Sequence, residues 1–248
     1  MLRSINEITN YQLKSQDGDI GRCKDFLFDD RQWTVRYMVA DTNKWLPGGK
    51  KVLISPISLD EPDWQEKRFP VMLTRAGIEN SPLLDEHKPV SKQYEIEFFN
   101  YYGYAYYWMG DGLWGPHTNP APLIENEQLE GHLEQTTGDR HLRSTDEVTG
   151  YDINAIDESI GHIEDFILND DNWSIAYIVV DTRKWLPGGR KVLISPSWFT
   201  SVSWVERTVS INLTAQQIKD SPEYNPKEFI NPDYENVLHD FYNGSKKQ

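Results

Sequence analysis

DTNKWLPGG at residues 41–49 returns almost unchanged as DTRKWLPGG at residues 181–189, an offset of 140. The match extends in both directions without a gap. LRSINEITNYQL from Leu2 aligns with LRSTDEVTGYDI from Leu142, and IGRCKDFLFDD from Ile20 with IGHIEDFILND from Ile160. Further on, Trp64 meets Trp204, Leu73-Thr74 meets Leu213-Thr214, Ser81-Pro82 meets Ser221-Pro222, Tyr94-Glu95 meets Tyr234-Glu235 and Tyr102 meets Tyr242. Self-similarity at a fixed period is the signature of duplicated structural units. Each copy, at about 100 residues, is a usual domain size. The expected division is a first domain at 1–102, a linker at 103–141 and a second domain at 142–248.

Within a copy the signals are mainly β. Val35, Tyr37 and Val39 alternate with Arg36, Met38 and Ala40, while the second copy, IAYIVV, is apolar on both faces and reads as a central strand. Lys51–Ser55 reads as its partner. Between them PGG supplies turn chemistry, with Pro47 fixing φ and Gly48 free to take positive φ. DDRQW and NDDNW mark an earlier hairpin turn. Thr74 and Thr214 open a short helical turn, and in the second copy Gln217 stands at capping-box spacing from Thr214. Finally, Tyr94, Phe98, Tyr101 and Tyr102 predict one apolar face of a helix, as do Tyr234, Leu238, Phe241 and Tyr242. The expectation is a mainly β protein, with two small barrels or sandwiches in tandem, each followed by a short C-terminal helix.

The G-x-x-x-D-F, W-x-x-x-Y and D-T-x-x-W-L-P-G signatures in both copies closely resemble the PRC-barrel domain, in particular the bacterial proteins that carry two in tandem. That domain is named for the cytoplasmic part of the photosynthetic reaction-centre H subunit, and it also forms the C-terminal part of a ribosome-maturation factor. The resemblance implies compact, mostly antiparallel β-barrels used as protein-contact modules, with no catalytic residues common to the family. It also implies, as an alternative role, an accessory of a photosynthetic or other electron-transfer membrane complex. Neither the H subunit's transmembrane helix nor the ribosome factor's additional N-terminal domain is expected from this sequence.

Composition narrows the partners. A net charge of −14 and a pI near 4.8 oppose nucleic acid and anionic lipid, which are bound through clusters of Lys and Arg. No apolar run approaches the roughly 18 residues of a membrane span, and MLRSINEITN lacks the apolar stretch of a signal peptide. The expected location is therefore cytoplasmic, without membrane insertion. The single cysteine, Cys23, excludes an internal disulfide.

Candidate chemistry is sparse. GGKK and GGRK suggest a phosphate loop, but a strand follows in place of the helix such a loop requires. Asp25, Asp30 and Asp41, with their counterparts Asp165, Asp170 and Asp181, are expected in turn and capping roles. The six histidines, His87, His117, His132, His141, His162 and His239, show no zinc spacing. Cys23 is matched by Ile163 and reads as a small hydrophobe in a strand. No nucleophile elbow occurs. The expectation is a non-enzyme with no cofactor and no metal.

Binding candidates are aromatic. Trp45 and Trp185 lie in the repeated phrase, where Trp either anchors a partner or folds back over its own domain. The unrepeated stretch GYAYYWMGDGLWG after the first helix holds Tyr104, Tyr106, Tyr107, Trp108 and Trp114. Its expected role is packing between the two domains, followed by contact with a protein partner or a second copy of the chain, and then a small-ligand cleft at the domain junction. IENEQLEGHLEQ reads as a solvated spacer. The leading functional expectation is a scaffold or interaction protein whose partner is unknown.

Overall fold

A computed structural model describes residues 1–42, 51–82, 84, 89–124, 141–183 and 189–245, with backbone only for 243–245. Trp45, Trp185, His87, His132 and the expected PGG turns lie outside the described residues.

The strands in chain order are β1 (Leu2–Ser4), β2 (Gln12–Ser15), β3 (Gly18–Asp29), β4 (Thr34–Asp41), β5 (Lys51–Ile54), β6 (Arg68–Pro70) and β7 (Leu142–Ser144). The second copy continues with β8 (Asp152–Asn154), β9 (Ser159–Asn169), β10 (Ile175–Asp181), β11 (Lys191–Ile194), β12 (Phe199–Ser203) and β13 (Thr208–Ile211). The helices are α1 (Ile5–Ile8), α2 (Arg75–Glu79), α3 (Lys92–Tyr102), α4 (Thr145–Val148), α5 (Ala215–Asp220) and α6 (Pro232–Ser245). No helix among the described residues is long and apolar enough to cross a membrane.

Two compact units divide the chain, and they interleave across the boundaries of the sequence copies. The first holds Glu7–Thr145 with Asp171–Ser174; the second holds Met1–Asn6, Asp146–Asp170 and Ile175–Gln248. Each copy thus contributes its opening strand to the other copy's sheet.

In the first unit the strand order is β5-β4-β3-β2-β6, with β7 on β3. β4 is buried along almost its whole length because it has a neighbour on each side. β2 pairs with the start of β3, and β7 takes up the same strand at Leu27–Asp29. β2 and β6 are parallel. The second unit follows the same plan, β11-β10-β9-β8-β13-β12 with β1 on β9.

The closed barrels expected from the sequence are not formed among the described residues, and both sheets remain open. In the first unit the chain leaves β5 through a 3₁₀ turn, Pro56–Ser58, capped by Ser55. Beyond the turn the chain meets the β6 end only through the isolated bridges Leu59–Val71 and Asp63–Arg68, where the second copy forms the strand β12 on β13.

The G-x-x-x-D-F signature has a physical explanation at each position. Gly21 has φ +118, and a Cβ there would lie 1.9 Å from the carbonyl oxygen of Asp41; at Gly161 the corresponding distance to Asp181 is 2.2 Å. No side chain fits where these strands cross. Phe26 and Phe166 fill the two cores.

The Asp of the signature latches the exchanged strand. Asp25 accepts hydrogen bonds from Ser144 Oγ at 2.6 Å and Thr145 Oγ1 at 2.8 Å. Asp165 accepts from Ser4 Oγ at 2.5 Å and from the Asn6 N–H at 3.1 Å. Asp165 thus takes a capping role at the start of α1, which comes from the other copy, whereas Asp25 holds the side-chain hydroxyls that open α4. Hydrogen bonds to a charged acceptor contribute roughly 1.5–3 kcal/mol. Ser144→Ala and Ser4→Ala should each lower stability by about that amount in urea unfolding, and a change below about 0.5 kcal/mol would show that the latch does not hold the strand.

The D-T pair closes the loop of the opening phrase. Thr182 Oγ1 donates to the Arg190 carbonyl at 2.8 Å and accepts from the Arg190 N–H at 2.9 Å, clamping both ends of the loop. Asp181 is held down to about 2, chiefly by hydrogen bonds from the Arg183 side chain. The capping box of Thr214 and Gln217 is present at α5. Cys23 is completely buried and its thiol is pushed up by that burial, which suits the expected packing role.

The inward face of α3 differs from the expected one. Glu95, Phe98 and Phe99 are buried, whereas Tyr101 is 42% exposed. The apolar pattern passed over Glu95 because a carboxylate does not count as core until its partners are known.

Candidate functional site: the aromatic strap

The unrepeated aromatic stretch forms a strap, residues 103–124, that packs within the first unit. Gly103 takes the left-handed conformation, φ +70, and ends α3. The chain then folds over the helix, and the Ala105 N–H returns to the Leu123 carbonyl at 3.1 Å. A tight turn at Gly112–Gly115 is stitched to the outgoing limb where the Gly115 N–H donates to the Tyr107 carbonyl at 2.6 Å.

Phe99 is the apolar hub beneath the strap. The rings of Tyr104, Tyr106, Tyr107 and Trp108 all lie near it, the closest being Trp108 at 5.3 Å between centroids. Tyr104, Tyr107 and Trp114 are buried, while Tyr106 and Trp108 stay partly exposed. The strap therefore belongs to one unit, and its contacts within that unit account for its aromatic density.

Polar groups lock the strap from below. Glu95, completely buried on α3, accepts hydrogen bonds from Tyr37 Oη at 3.0 Å and Tyr107 Oη at 2.7 Å. Lys92 Nζ lies 3.4 Å from its other oxygen, and His141 Nε2 lies 3.7 Å from that oxygen and 3.2 Å from Tyr107 Oη. Arg36, also buried, sits 4.0 Å from the Tyr107 ring centre and 4.8 Å from that of Trp114. Its guanidinium pairs with Asp29 at 3.3 Å and donates to the Leu113 carbonyl at 2.5 Å. Trp114 Nε1 donates to the Asn172 carbonyl at 2.8 Å. Above this layer, Lys92 Nζ stands 3.1 Å over the Trp108 ring, and Trp108 stacks on Tyr106 at 4.7 Å.

The second unit keeps only the foundation. Tyr177 Oη donates to Glu235 at 3.2 Å and lies 3.0 Å from His239 Nε2. At the positions of Arg36, Asp29 and Lys92 the second copy has Ala176, Asn169 and Pro232. Trp198, at the position of Ser58, packs 4.1 Å from Tyr242; in the first unit Tyr104 of the strap stacks on the matching Tyr102 at 5.5 Å. The cations that grip the strap occur only in the copy that has one.

Burial sets the electrostatics. Tyr37 and Tyr107 are pushed well above the usual phenol range by desolvation, with the Glu95 charge adding to it. In the second unit Tyr234 is raised to about 12, mainly by burial. Lys92 is pulled down to about 8 by burial, against the attraction of Glu95. Because the folded tyrosines titrate above their unfolded value near 10, the stability they hold is complete below pH 10 and is lost as pH rises beyond it. Tyrosinate absorbance should therefore show few phenols ionising near pH 10 and the rest ionising together with unfolding. Non-cooperative ionisation of all of them near pH 10 would contradict this burial.

The chemistry of the cluster is that of a clamp. The Glu95 carboxylate is engaged on both oxygens and sealed from solvent, as suits an anchor for tyrosine hydroxyls. Sequence reasoning identified the strap's aromatics but missed Glu95, Phe99, Arg36, Lys92 and His141. A signal for part of this set was present: Tyr37 with Glu95 recurs as Tyr177 with Glu235 at the repeat offset. Among the described residues no cluster of three or more His, Cys, Asp or Glu is arranged to hold a metal ion.

Comparison with known proteins bears on the second copy. Residues 144–218 match the family model of the PRC-barrel domain. No curated protein matches the chain.

Proposed function

We propose that this chain is a non-enzymatic scaffold, built on two PRC-barrel-type domains in tandem, that binds a protein partner through the outer face of its aromatic strap. The observation that carries the proposal is the division of labour within the strap. Tyr107 and Trp114 are buried against Glu95 and Arg36, which fixes the backbone, and the stacked pair Tyr106 and Trp108 is left partly exposed above them. Rigid aromatics held at a surface give contact area with little further loss of conformational entropy, and Trp and Tyr are enriched among the residues that dominate binding energy. The tandem reading is supported by the internal repeat together with the family match to the second copy.

The test is the double variant Tyr106→Ala/Trp108→Ala. Each position is partly exposed, so the fold should lose only about 1 kcal/mol, while retention of specific partners in a pull-down from the source cell should fall at least tenfold. Unchanged partners in the double variant, or turnover found in a metabolite screen of the wild type, would overturn the proposal.

A further inference from the structure

We propose that the partner reached by the strap presents an arginine, whose guanidinium lies on the outer ring face of Tyr106 with the Glu97 carboxylate beside it. This names the partner's chemistry and rests on the reading of the strap as a contact surface. Three observations carry it. First, the strap's rings alternate with cations. The Arg36 guanidinium lies against Tyr107 and Trp114, and Lys92 Nζ stands 3.1 Å over the Trp108 ring centre. Tyr106 stacks on Trp108 at 4.7 Å between centroids, with 19° between the planes. An ammonium and a near-parallel ring cannot share one face of an indole at those separations, so Tyr106 covers the face opposite Lys92. The order is therefore Lys92, Trp108, Tyr106, and the outer face of Tyr106 is the next place in the stack. Among the described residues no cation stands over it.

Second, the ring is held ready. Tyr106 Oη donates to Asn100 Oδ1 at 2.7 Å. That bond fixes the ring in place, so little order is lost on binding, and a phenol that donates its proton carries more negative charge on its ring faces, where a cation is attracted. Third, the surroundings are acidic. Glu97 lies one turn from Asn100 on the same side of α3; it is exposed and accepts a hydrogen bond from Gln93 at 3.0 Å. The strap, residues 103–124, contains Asp111 and no Lys or Arg, and the whole chain carries a net charge of −14. A basic partner meets this surface with complementary charge. Arginine fits better than lysine because its planar guanidinium stacks on an aromatic face while its edge N–H groups bind a carboxylate. The second copy has Val237 at the position of Glu97, so this pairing of ring and carboxylate belongs to the first unit.

The experiment titrates the full chain with the peptide acetyl-Gly-Arg-Gly-Arg-Gly-amide and with the same peptide carrying citrulline, which keeps the shape of arginine without its charge. Binding is read by NMR at the Asn100 side-chain amide and the Tyr106 ring. The arginine peptide should bind roughly tenfold more tightly than the citrulline peptide, a comparison that uses the wild type and needs no variant. Tyr106→Leu should weaken arginine-peptide binding roughly tenfold, and Tyr106→Phe, which keeps the ring face, by no more than about threefold. Glu97→Gln should weaken it several-fold, whereas Glu61→Gln, which removes an exposed carboxylate elsewhere in the first unit, should leave it unchanged. Equal affinity for the two peptides, or undiminished binding of the arginine peptide to Tyr106→Leu, would overturn the proposal. Its failure is distinct from failure of the strap reading. If Tyr106→Ala/Trp108→Ala loses its protein partners while the wild type shows no preference for the arginine peptide, the strap is the contact surface and the arginine is wrong.

Discussion

Trp114→Ala should lower the stability of the first unit by about 3–5 kcal/mol, the usual range for removing a fully buried indole. The side chain does three things that alanine cannot. Its ring forms one of the two faces against which the Arg36 guanidinium lies, its Nε1 donates to the Asn172 carbonyl, and its edge meets the Tyr107 ring at 6.1 Å. Loss of the ring leaves a cavity beside a buried cation, and only the smaller side chains of Pro120 and Leu123 are buried further along that limb. Urea unfolding measures the loss. Near-ultraviolet dichroism should report loosening of Tyr107 and Trp108 at denaturant concentrations that leave the wild type intact. A cost below about 1 kcal/mol would mean that the strap is held elsewhere, and Trp114 would then lose its place as the anchor.

Glu95→Ala is expected to cost a similar amount, about 3–5 kcal/mol, for a different reason. The substitution removes little apolar surface, but it takes the shared acceptor away from the hydroxyls of Tyr37 and Tyr107 and the carboxylate partner away from Lys92. Buried donors left without acceptors carry the full desolvation cost. Glu95→Gln keeps one acceptor oxygen in place and should cost only about 1–2 kcal/mol. The duplicated pair gives an internal comparison. Glu235 holds Tyr177 in the second unit without a strap above it, and Glu235 itself is only part-buried, although Tyr177 is buried. Glu235→Ala should therefore cost about 1 kcal/mol. If Glu95→Ala and Glu235→Ala were equally mild, the strap would not depend on the carboxylate, and the clamp described here would be wrong.

Much of the local structure was legible because it depends on near neighbours in sequence. The alternation at Val35–Ala40 placed a strand, the spacing of Thr214 and Gln217 placed a capping box, and turn residues at 30–33 and 170–173 placed hairpins. The inward face of α3 was only half legible. Phe98 and Tyr102 lie where the helical period puts them, but Glu95 is buried and Tyr101 is not. A carboxylate becomes core only when Tyr37, 58 residues away, and Tyr107 supply its hydrogen bonds. The same holds for Arg36, which reads as the polar face of a strand and is in fact sealed beneath two aromatic rings. Periodicity scores each residue alone, and the burial of a charge is decided in groups.

The sequence by itself determined that one structural plan is written twice and where β4, β5 and the turns opened by Thr74 and Thr214 fall; it left the aromatic stretch as a linker expected between the two domains, and the structure packs that stretch on α3 of the first unit. The sequence repeated glycine at 21 and 161, and the structure supplied the reason, the close carbonyl oxygens of Asp41 and Asp181. It could not determine which copy completes which sheet. Leu2-Arg3-Ser4 and Leu142-Arg143-Ser144 are the same three residues, and Asp25 and Asp165 present the same carboxylate, so the pattern of hydrogen bonds is equally good for either assignment. Only the path of the chain in three dimensions separates the two, and it places β1 on β9 and β7 on β3. The tertiary structure also decided the strand order, with β2 parallel to β6 and β8 parallel to β13, which no count of strands along the chain could reveal.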